Sequence, residues 1–181
     1  MKHVAGSLGG KTKSEPGMGN VKTAVLLLGA NLGDRALQLE CACKHLQRLG
    51  RIAAQSSVYE TAAWGNEHQP AFLNQVVLLD TALAALPLLD ELLTIERVLG
   101  RQREEKWGAR VIDLDILFFD SDVIQNERLT VPHPHLASRR FTLVPLAEVL
   151  PDFVHPVLQQ RVRTLLAACP DRLPVEKYVT R

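Results

Sequence analysis

The chain predicts an α+β domain, and three observations carry that reading. Short apolar runs alternate with stretches of helical periodicity in the order strand, helix, strand, strand, helix, strand. Each helical stretch is followed by a glycine, Gly50 and Gly100. Two long polar connections, Thr61–Pro70 and Arg101–Arg110, interrupt an otherwise compact pattern. Six elements in this order form the split β-α-β, ferredoxin-like βαββαβ sandwich, followed here by a C-terminal hairpin and short helices.

Residues 1–20 are rich in Gly, Lys and Ser and lack apolar periodicity. They read as a flexible N-terminal tail without the apolar core of a secretory signal, leaving residues 21–181 as a single domain. Thr23–Leu28 is the first strand. Gly29-Ala30-Asn31-Leu32-Gly33-Asp34 is a turn, with Asp34 placed to cap the helix that follows. Leu37, Cys41, Lys44-His45 and Leu49 mark that helix, and Gly50 ends it. Arg51–Glu60 is the second strand. Ala71–Thr81 is the third, with Phe72, Asn74, Val76 and Leu78 on one face. Pro87 sits in the first turn of the second helix, whose buried stripe is Leu88, Leu92, Ile95 and Leu99. Residues 111–119 form the fourth strand, with Ile112, Leu114, Ile116 and Phe118 on one face. Ser121–Val131 reads as a hairpin, Pro132-His133-Pro134-His135 as a rigid turn, and Phe141–Val149 and Leu158–Ala168 as short helices.

At 181 residues the chain is long enough for a substantial core, and 46% hydrophobic residues is ordinary for a globular protein. A net charge of +1 gives no global attraction for nucleic acid or an anionic membrane. No apolar run reaches the length of a membrane span. Three cysteines, Cys41, Cys43 and Cys169, fit a reducing, cytoplasmic setting. The predicted topology then has a functional consequence. The Gly29–Asp34, Thr61–Pro70 and Arg101–Arg110 connections gather at one end of the sheet, together with the start of the fourth strand.

That start carries Asp113-Leu114-Asp115. The two carboxylates point to one face, about 7 Å apart at their Cα atoms. They can hold a divalent cation or a pair of them, for which Mg²⁺ is the natural choice; the plainer reading is a solvated strand face. Arg101, Arg103, Lys106 and Arg110 precede the pair, and Arg128, His133, Arg139 and Arg140 follow it. Cations beside two carboxylates describe a Mg²⁺–polyphosphate site, although alone they would read as a charged loop. There is no P-loop motif. Trp64 and Trp107 lie in the two long connections, where they either stack on a planar ligand or pack the loops. The residues alone point to a small Mg²⁺-dependent enzyme acting on a polyphosphate, with a flat second substrate. Two alternatives stay open: a two-metal phosphodiesterase or nuclease, and a non-catalytic ferredoxin-like binding module.

Several motifs occur in a set order: Leu28-Gly29-Ala30-Asn31-Leu32-Gly33-Asp34, Tyr59-Glu60-Thr61, Gln69-Pro70-Ala71-Phe72-Leu73-Asn74, Ile95-Glu96, Gly100-Arg101-Gln102-Arg103, Trp107-Gly108-Ala109-Arg110, Asp113-Leu114-Asp115 and Arg128-Leu129-Thr130-Val131-Pro132-His133-Pro134. Over roughly residues 23–160 the chain resembles the 6-hydroxymethyl-7,8-dihydropterin pyrophosphokinase family. The resemblance implies transfer of diphosphate from ATP, the co-substrate, to the hydroxymethyl group of 6-hydroxymethyl-7,8-dihydropterin, with release of AMP, in folate biosynthesis. It implies two Mg²⁺ ions on Asp113 and Asp115, and catalytic roles for Arg101 and Arg110. Glu96, Arg103, Lys106, Trp107, Arg110, Ile116, Arg128, Thr130, His133 and Arg139 match ATP-contacting positions. Thr61, Ala62, Trp64, Phe72, Asn74, Trp107, Asp113 and Phe141 match pterin-pocket positions, with Phe72 and Phe141 as the aromatic pair around the ring. Neither a nucleic-acid nor a membrane partner is expected, and the chain is expected to be a monomer. One departure is Ala62-Ala63-Trp64 where the family often has Pro-Pro-Leu.

Overall fold

The structure, a computed structural model, describes residues 21–62, 70–100 and 111–179. β1 (Lys22–Ala30), α1 (Arg35–Leu46), β2 (Arg51–Gln55), β3 (Tyr59–Thr61), β4 (Phe72–Thr81), α2 (Ala85–Val98) and β5 (Asp113–Phe119) come first. β6 (Ile124–Gln125), β7 (Thr130–Val131), α3 (Arg140–Val149), α4 (Val162–Ala168) and β8 (Val175–Lys177) complete the described chain. The main sheet runs β5-β1-β4-β3-β8, with β2 also paired to β4, and all of its pairings are antiparallel. With β2 and β3 counted as one strand, its first four positions are the ferredoxin-like order expected of the βαββαβ pattern.

β1 is central because it is apolar on both sides; every residue from Ala24 to Ala30 is buried. Ala24, Leu26 and Leu28 join Leu73, Val77, Leu79, Leu114 and Ile116 in a core beneath α1 and α2. Val25, Leu27, Val76, Leu78, Leu117 and Phe118 form a second core with Leu143, Leu146, Val162 and Leu165 of α3 and α4. The sheet is thus covered on both faces, and its central strands read as continuous apolar runs for that reason.

Asp34 caps α1 as expected, its carboxylate accepting the Leu37 N–H at 3.0 Å. The helix ends at Leu46, earlier than the Leu49 expected, and Gly50 is not its terminator. Gly50 is required for a different reason: a Cβ there would lie 2.1 Å from the Asp80 carbonyl oxygen. The expected strand Arg51–Glu60 is split. Between β2 and β3, Ser56 replaces regular ladder bonds; its hydroxyl accepts the Val76 N–H at 3.0 Å and its N–H donates to the Val76 carbonyl at 2.9 Å.

Two further expectations are corrected. Phe118 does not share a face with Ile112, Leu114 and Ile116. The pairing of β1 with β5 slips by one residue, from Leu26↔Ile116 to Val25↔Phe118. Leu117 is the extra residue of that bulge, which moves Phe118 into the second core. The last helix starts at Val162, not Leu158, because His155 Nδ1 accepts the N–H groups of Val157 and Leu158 at 3.2 and 3.1 Å and folds residues 155–158 into a turn. β8 was not expected from the pattern. Among the described residues no helix is long and apolar enough to cross a membrane.

Glu148 on α3 fastens the split strand. Its carboxylate accepts from Ser57 N (2.9 Å), Ser57 Oγ (2.8 Å), Tyr59 Oη (3.0 Å) and Lys177 Nζ (3.2 Å). Burial alone would raise its carboxyl, but the hydrogen bonds from Ser57, Tyr59 and Lys177 outweigh it and hold the group below its ordinary 4.5. Burial, and then the bond to Glu148, pushes the Tyr59 phenol up to about 12. A carboxyl lowered by folding stabilises the native state above its unfolded value, and that stabilisation is lost as pH falls through the lowered one. Glu148→Gln is therefore expected to lower stability at pH 7 by about 1 kcal/mol. In urea titrations the gap to the parent protein should shrink below pH 4.5; a gap independent of pH would remove the ionised carboxylate from this account.

Candidate functional site

The antiparallel register assembles the site. Asp113 lies opposite Gly29, Gly29 opposite Asn74, and Asn74 opposite Tyr59. One row across four strands thus reads Asp113, Gly29, Asn74, Tyr59, and cross-strand partners share a face. The next row reads Asp115, Leu27, Val76. Leu27 and Val76 belong to the second core, so both carboxylates look toward the side of α3. Asp113 and Asp115 are half-buried, whereas Leu114 and Ile116 between and after them are buried in the opposite direction. The expectation of two carboxylates on one face is met.

α2 holds this end of β5 in place. Glu96 is buried, and its Oε1 accepts the Leu114 N–H at 2.8 Å. This bond ties the last turn of α2 to the residue between the two aspartates. The strand ends that flank the three connections gather as the topology demands. β1 and β3 end here, and β4 and β5 begin here, as the pairs Ala30↔Leu73, Thr61↔Phe72 and Gly29↔Asp113 require.

Beside the carboxylates lies a small polar floor. Asn74 Nδ2 donates to Thr61 Oγ1 at 2.9 Å, and both residues are buried. Gly29 leaves this floor open. A Cβ on it would stand 3.3 Å from Asn74 Oδ1 and 3.9 Å from Phe72 Cδ1. Phe72 shares the face of Asn74, and Phe141 of α3 packs against the second core on that same side. Ala62 is exposed just past the end of β3. A flat ring with donors and acceptors on one edge suits such a floor.

On the other flank the β6–β7 hairpin and the segment after it bring basic groups past β5. Arg128 pairs with Asp90 of α2, and Thr130 is exposed on β7. His133 N–H donates to the Leu117 carbonyl at 3.0 Å, closing part of the edge of β5. His133 Nδ1 accepts the His135 N–H at 3.2 Å, which leaves Nε2 as the proton-bearing nitrogen. Burial, helped by Arg139 and His135 and opposed by Asp113, lowers the His133 imidazole to about 4. It is a neutral donor near pH 7. Arg139 is buried, its guanidinium 5.7 Å from the centre of the Phe141 ring.

Of the residues named from the sequence, Thr61, Phe72, Asn74, Asp113 and Asp115 are brought together by register, and Glu96 is placed directly behind the carboxylates. Ile116 is set apart: its side chain lies in the core under α1 and α2. Arg101, Arg103, Lys106, Trp107, Arg110 and Trp64 lie outside the described residues. Sequence reasoning missed Gly29, read only as part of a turn. A glycine inside a strand was the available signal, since it marks a close approach.

Among the described residues no group of three or more His, Cys, Asp and Glu side chains gathers. Two carboxylates without a full protein cage match the habit of Mg²⁺, which keeps waters and shares its remaining positions with phosphate oxygens. Carboxylates, flanking cations and a flat polar floor match the groups that phosphoryl transfer calls for.

The comparisons with known proteins are specific. Residues 25–151 match the family described as 7,8-dihydro-6-hydroxymethylpterin-pyrophosphokinase (HPPK). A 2-amino-4-hydroxy-6-hydroxymethyldihydropteridine pyrophosphokinase of Methylorubrum extorquens is 46% identical over 133 residues, covering 72% of this chain and 84% of the relative. Its counterpart from Pseudomonas aeruginosa is 41% identical over 160 residues, covering 85% and 98%. Among solved structures, the Plasmodium falciparum HPPK-DHPS wild type with pterin and p-hydroxybenzoate superimposes with a TM-score of 0.65 at 20% identity. That match covers 82% of this chain and 43% of the larger one, and it bears on the fold. The chain belongs to the 7,8-dihydro-6-hydroxymethylpterin-pyrophosphokinase family, and it is an enzyme.

Gly29→Ala tests the open floor. The added methyl group is expected to weaken binding of a pterin by about 1 kcal/mol, roughly fivefold in Kd, in a fluorescence titration. The melting temperature should change little, and unchanged pterin affinity would show that the floor is not used.

Proposed function

We propose that the chain transfers the terminal diphosphate of ATP to the hydroxymethyl oxygen of 6-hydroxymethyl-7,8-dihydropterin, releasing AMP, as a step of folate biosynthesis. The observation that carries this reading is the row Asp113–Gly29–Asn74. It sets a carboxylate and a hydrogen-bonding floor on one face of adjoining strands, so a metal-held polyphosphate and a flat acceptor would lie side by side. Residues 21–181 would act as one monomeric catalytic domain.

In this reading Thr61, Ala62, Phe72, Asn74 and Phe141 receive the pterin. Asn74 and the Thr61 backbone face its donor–acceptor edge, and the two phenylalanines face its rings. Asp113 and Asp115 would hold two Mg²⁺ ions, which offset charge on the triphosphate when bound. Glu96 keeps those carboxylates in register through Leu114. Arg128, Thr130, neutral His133 Nε2–H and Arg139 supply donors on the nucleotide side. The roles proposed for Arg101, Arg103, Lys106, Trp107, Arg110 and Trp64 rest on motif position, with Arg101 and Arg110 stabilising charge during transfer. Chemically, the hydroxymethyl oxygen attacks the β-phosphorus in line. The bond from that phosphorus to the oxygen bridging the α-phosphate breaks, the electron pair leaves with AMP, and the hydroxyl proton is released.

The test is incubation with ATP, Mg²⁺ and the hydroxymethyl dihydropterin. Pterin-dependent AMP formation is expected, and ADP formation would overturn the reading. Asp115→Ala should lower turnover by at least about a hundredfold with an unchanged circular-dichroism spectrum. Activity within a few-fold of the parent protein would remove the metal-binding role from Asp115.

A further inference from the structure

Arg35, the first residue of α1, stands outside every role assigned above, yet its side chain is three-quarters covered. Its Nη1 donates to the carbonyl oxygen of Ala71 at 2.8 Å and lies 2.7 Å from Glu60 Oε1. Its planar group also lies 6.0 Å from the ring of Tyr178, which follows β8. These three partners belong to segments far apart in sequence. Glu60 is the middle residue of β3, and Ala71 immediately precedes β4.

Their location gives the contact its significance. β3 is only three residues long and makes three pairs with β4. So short a ladder has little stability of its own. Yet Thr61↔Phe72 is the last of these pairs, and Thr61 Oγ1 accepts the Asn74 amide that forms the floor. Glu60 lies between Tyr59 and Thr61 and, by strand alternation, turns its side chain to the opposite face. Arg35 therefore grips β3 and the entry of β4 from the side away from the floor. Asn31 adds to the same stem, its Nδ2 donating to the Pro70 carbonyl at 3.4 Å. An arginine suits this task because one guanidinium can serve a carboxylate, a carbonyl and an aromatic ring together.

We propose that Arg35 is a positioning residue for the acceptor substrate: by bridging Glu60 and the Ala71 carbonyl it sets the relative placement of Thr61, Asn74 and Phe72. This inference rests on the pterin pyrophosphokinase reading of the site. The nucleotide side, built on β5, the β6–β7 hairpin and the segment that runs on to Arg139, has no part in the clamp.

Steady-state kinetics separate the two substrates. Parent protein must first show pterin-dependent AMP formation; without it the functional reading itself fails, whatever Arg35 does. With it, Arg35→Ala should raise the KM for the hydroxymethyl dihydropterin roughly tenfold, leaving the KM for ATP and kcat within about twofold. Arg35→Lys keeps the cation but not the planar group that serves three partners, and should recover part of the loss. Arg51→Ala, which removes the ion pair to Asp80 elsewhere on the sheet, should leave both KM values unchanged. If Arg35→Ala does not fold, Glu60→Gln, which weakens one arm of the clamp, should raise the pterin KM in the same direction. An unchanged pterin KM in the folded variant, or equal rises for both substrates, would overturn the inference.

Discussion

The architecture depends on one constraint: β5 must bury one face completely while keeping two carboxylates out of the core. Leu114 and Ile116 go under α1 and α2, and Asp113 and Asp115 are thereby committed to the other face. Burying an ionised carboxylate without partners would cost far more than one strand can return. The α3 face is accordingly apolar only from Leu117 onward. The bulge at Leu117 makes this possible, since it delivers Leu117 and Phe118 together to the second core. There Phe118 meets Phe153 at 4.7 Å and His155 edge-on at 5.4 Å between ring centres. One extra residue thus divides the strand into a polar start and an apolar finish on the same face.

Much of this was legible from the sequence, for identifiable reasons. Long elements with clear periodicity, α2 and β4 above all, stand where the pattern of apolar residues puts them. The gathering beside Asp113 of the strand ends that flank the three connections follows from topology alone, because an antiparallel four-stranded order leaves no other end for them. What escaped were features set by tertiary contact. The break at Ser56–Val58 is held by a hydroxyl bonded to Val76 and by Glu148, a residue 91 positions from Ser57. The turn that replaces the first residues of α4 is held by one imidazole, His155. β8 has only three residues, two of them exposed, and its pairing to β3 leaves no apolar signature.

The candidate site was legible to a similar degree and for a related reason. Asp113 and Asp115 announce themselves as charges on an apolar strand, and Asn74 as a polar residue in one. Gly29 and Arg35 do not, because their contribution is geometric: one is an absent Cβ and the other a bridge between distant segments. Glu96 lies between these cases. A carboxylate on the buried stripe of a helix demands a partner, and the Leu114 N–H supplies one. Its buried position explains how a helix on one face of the sheet controls the placement of acidic groups on the other.

The pocket itself follows from the two cores having different extents. Beneath α1 and α2 the core continues to the end of the sheet, through Leu28, Ala30, Leu73 and Leu114. On the opposite face the cluster stops at the row of Leu27 and Val76. In the next row Asp113, Gly29 and Asn74 contribute nothing apolar to that layer, and the buried Tyr59 ring stands only at its far end. The sheet is therefore supported from behind beyond the last row that is covered in front. A site needs both conditions: a backing that holds register to fractions of an ångström, and an uncovered row on which a ligand replaces the missing layer. An apolar residue at Gly29 or Asn74 would extend the second core by one row and close the space.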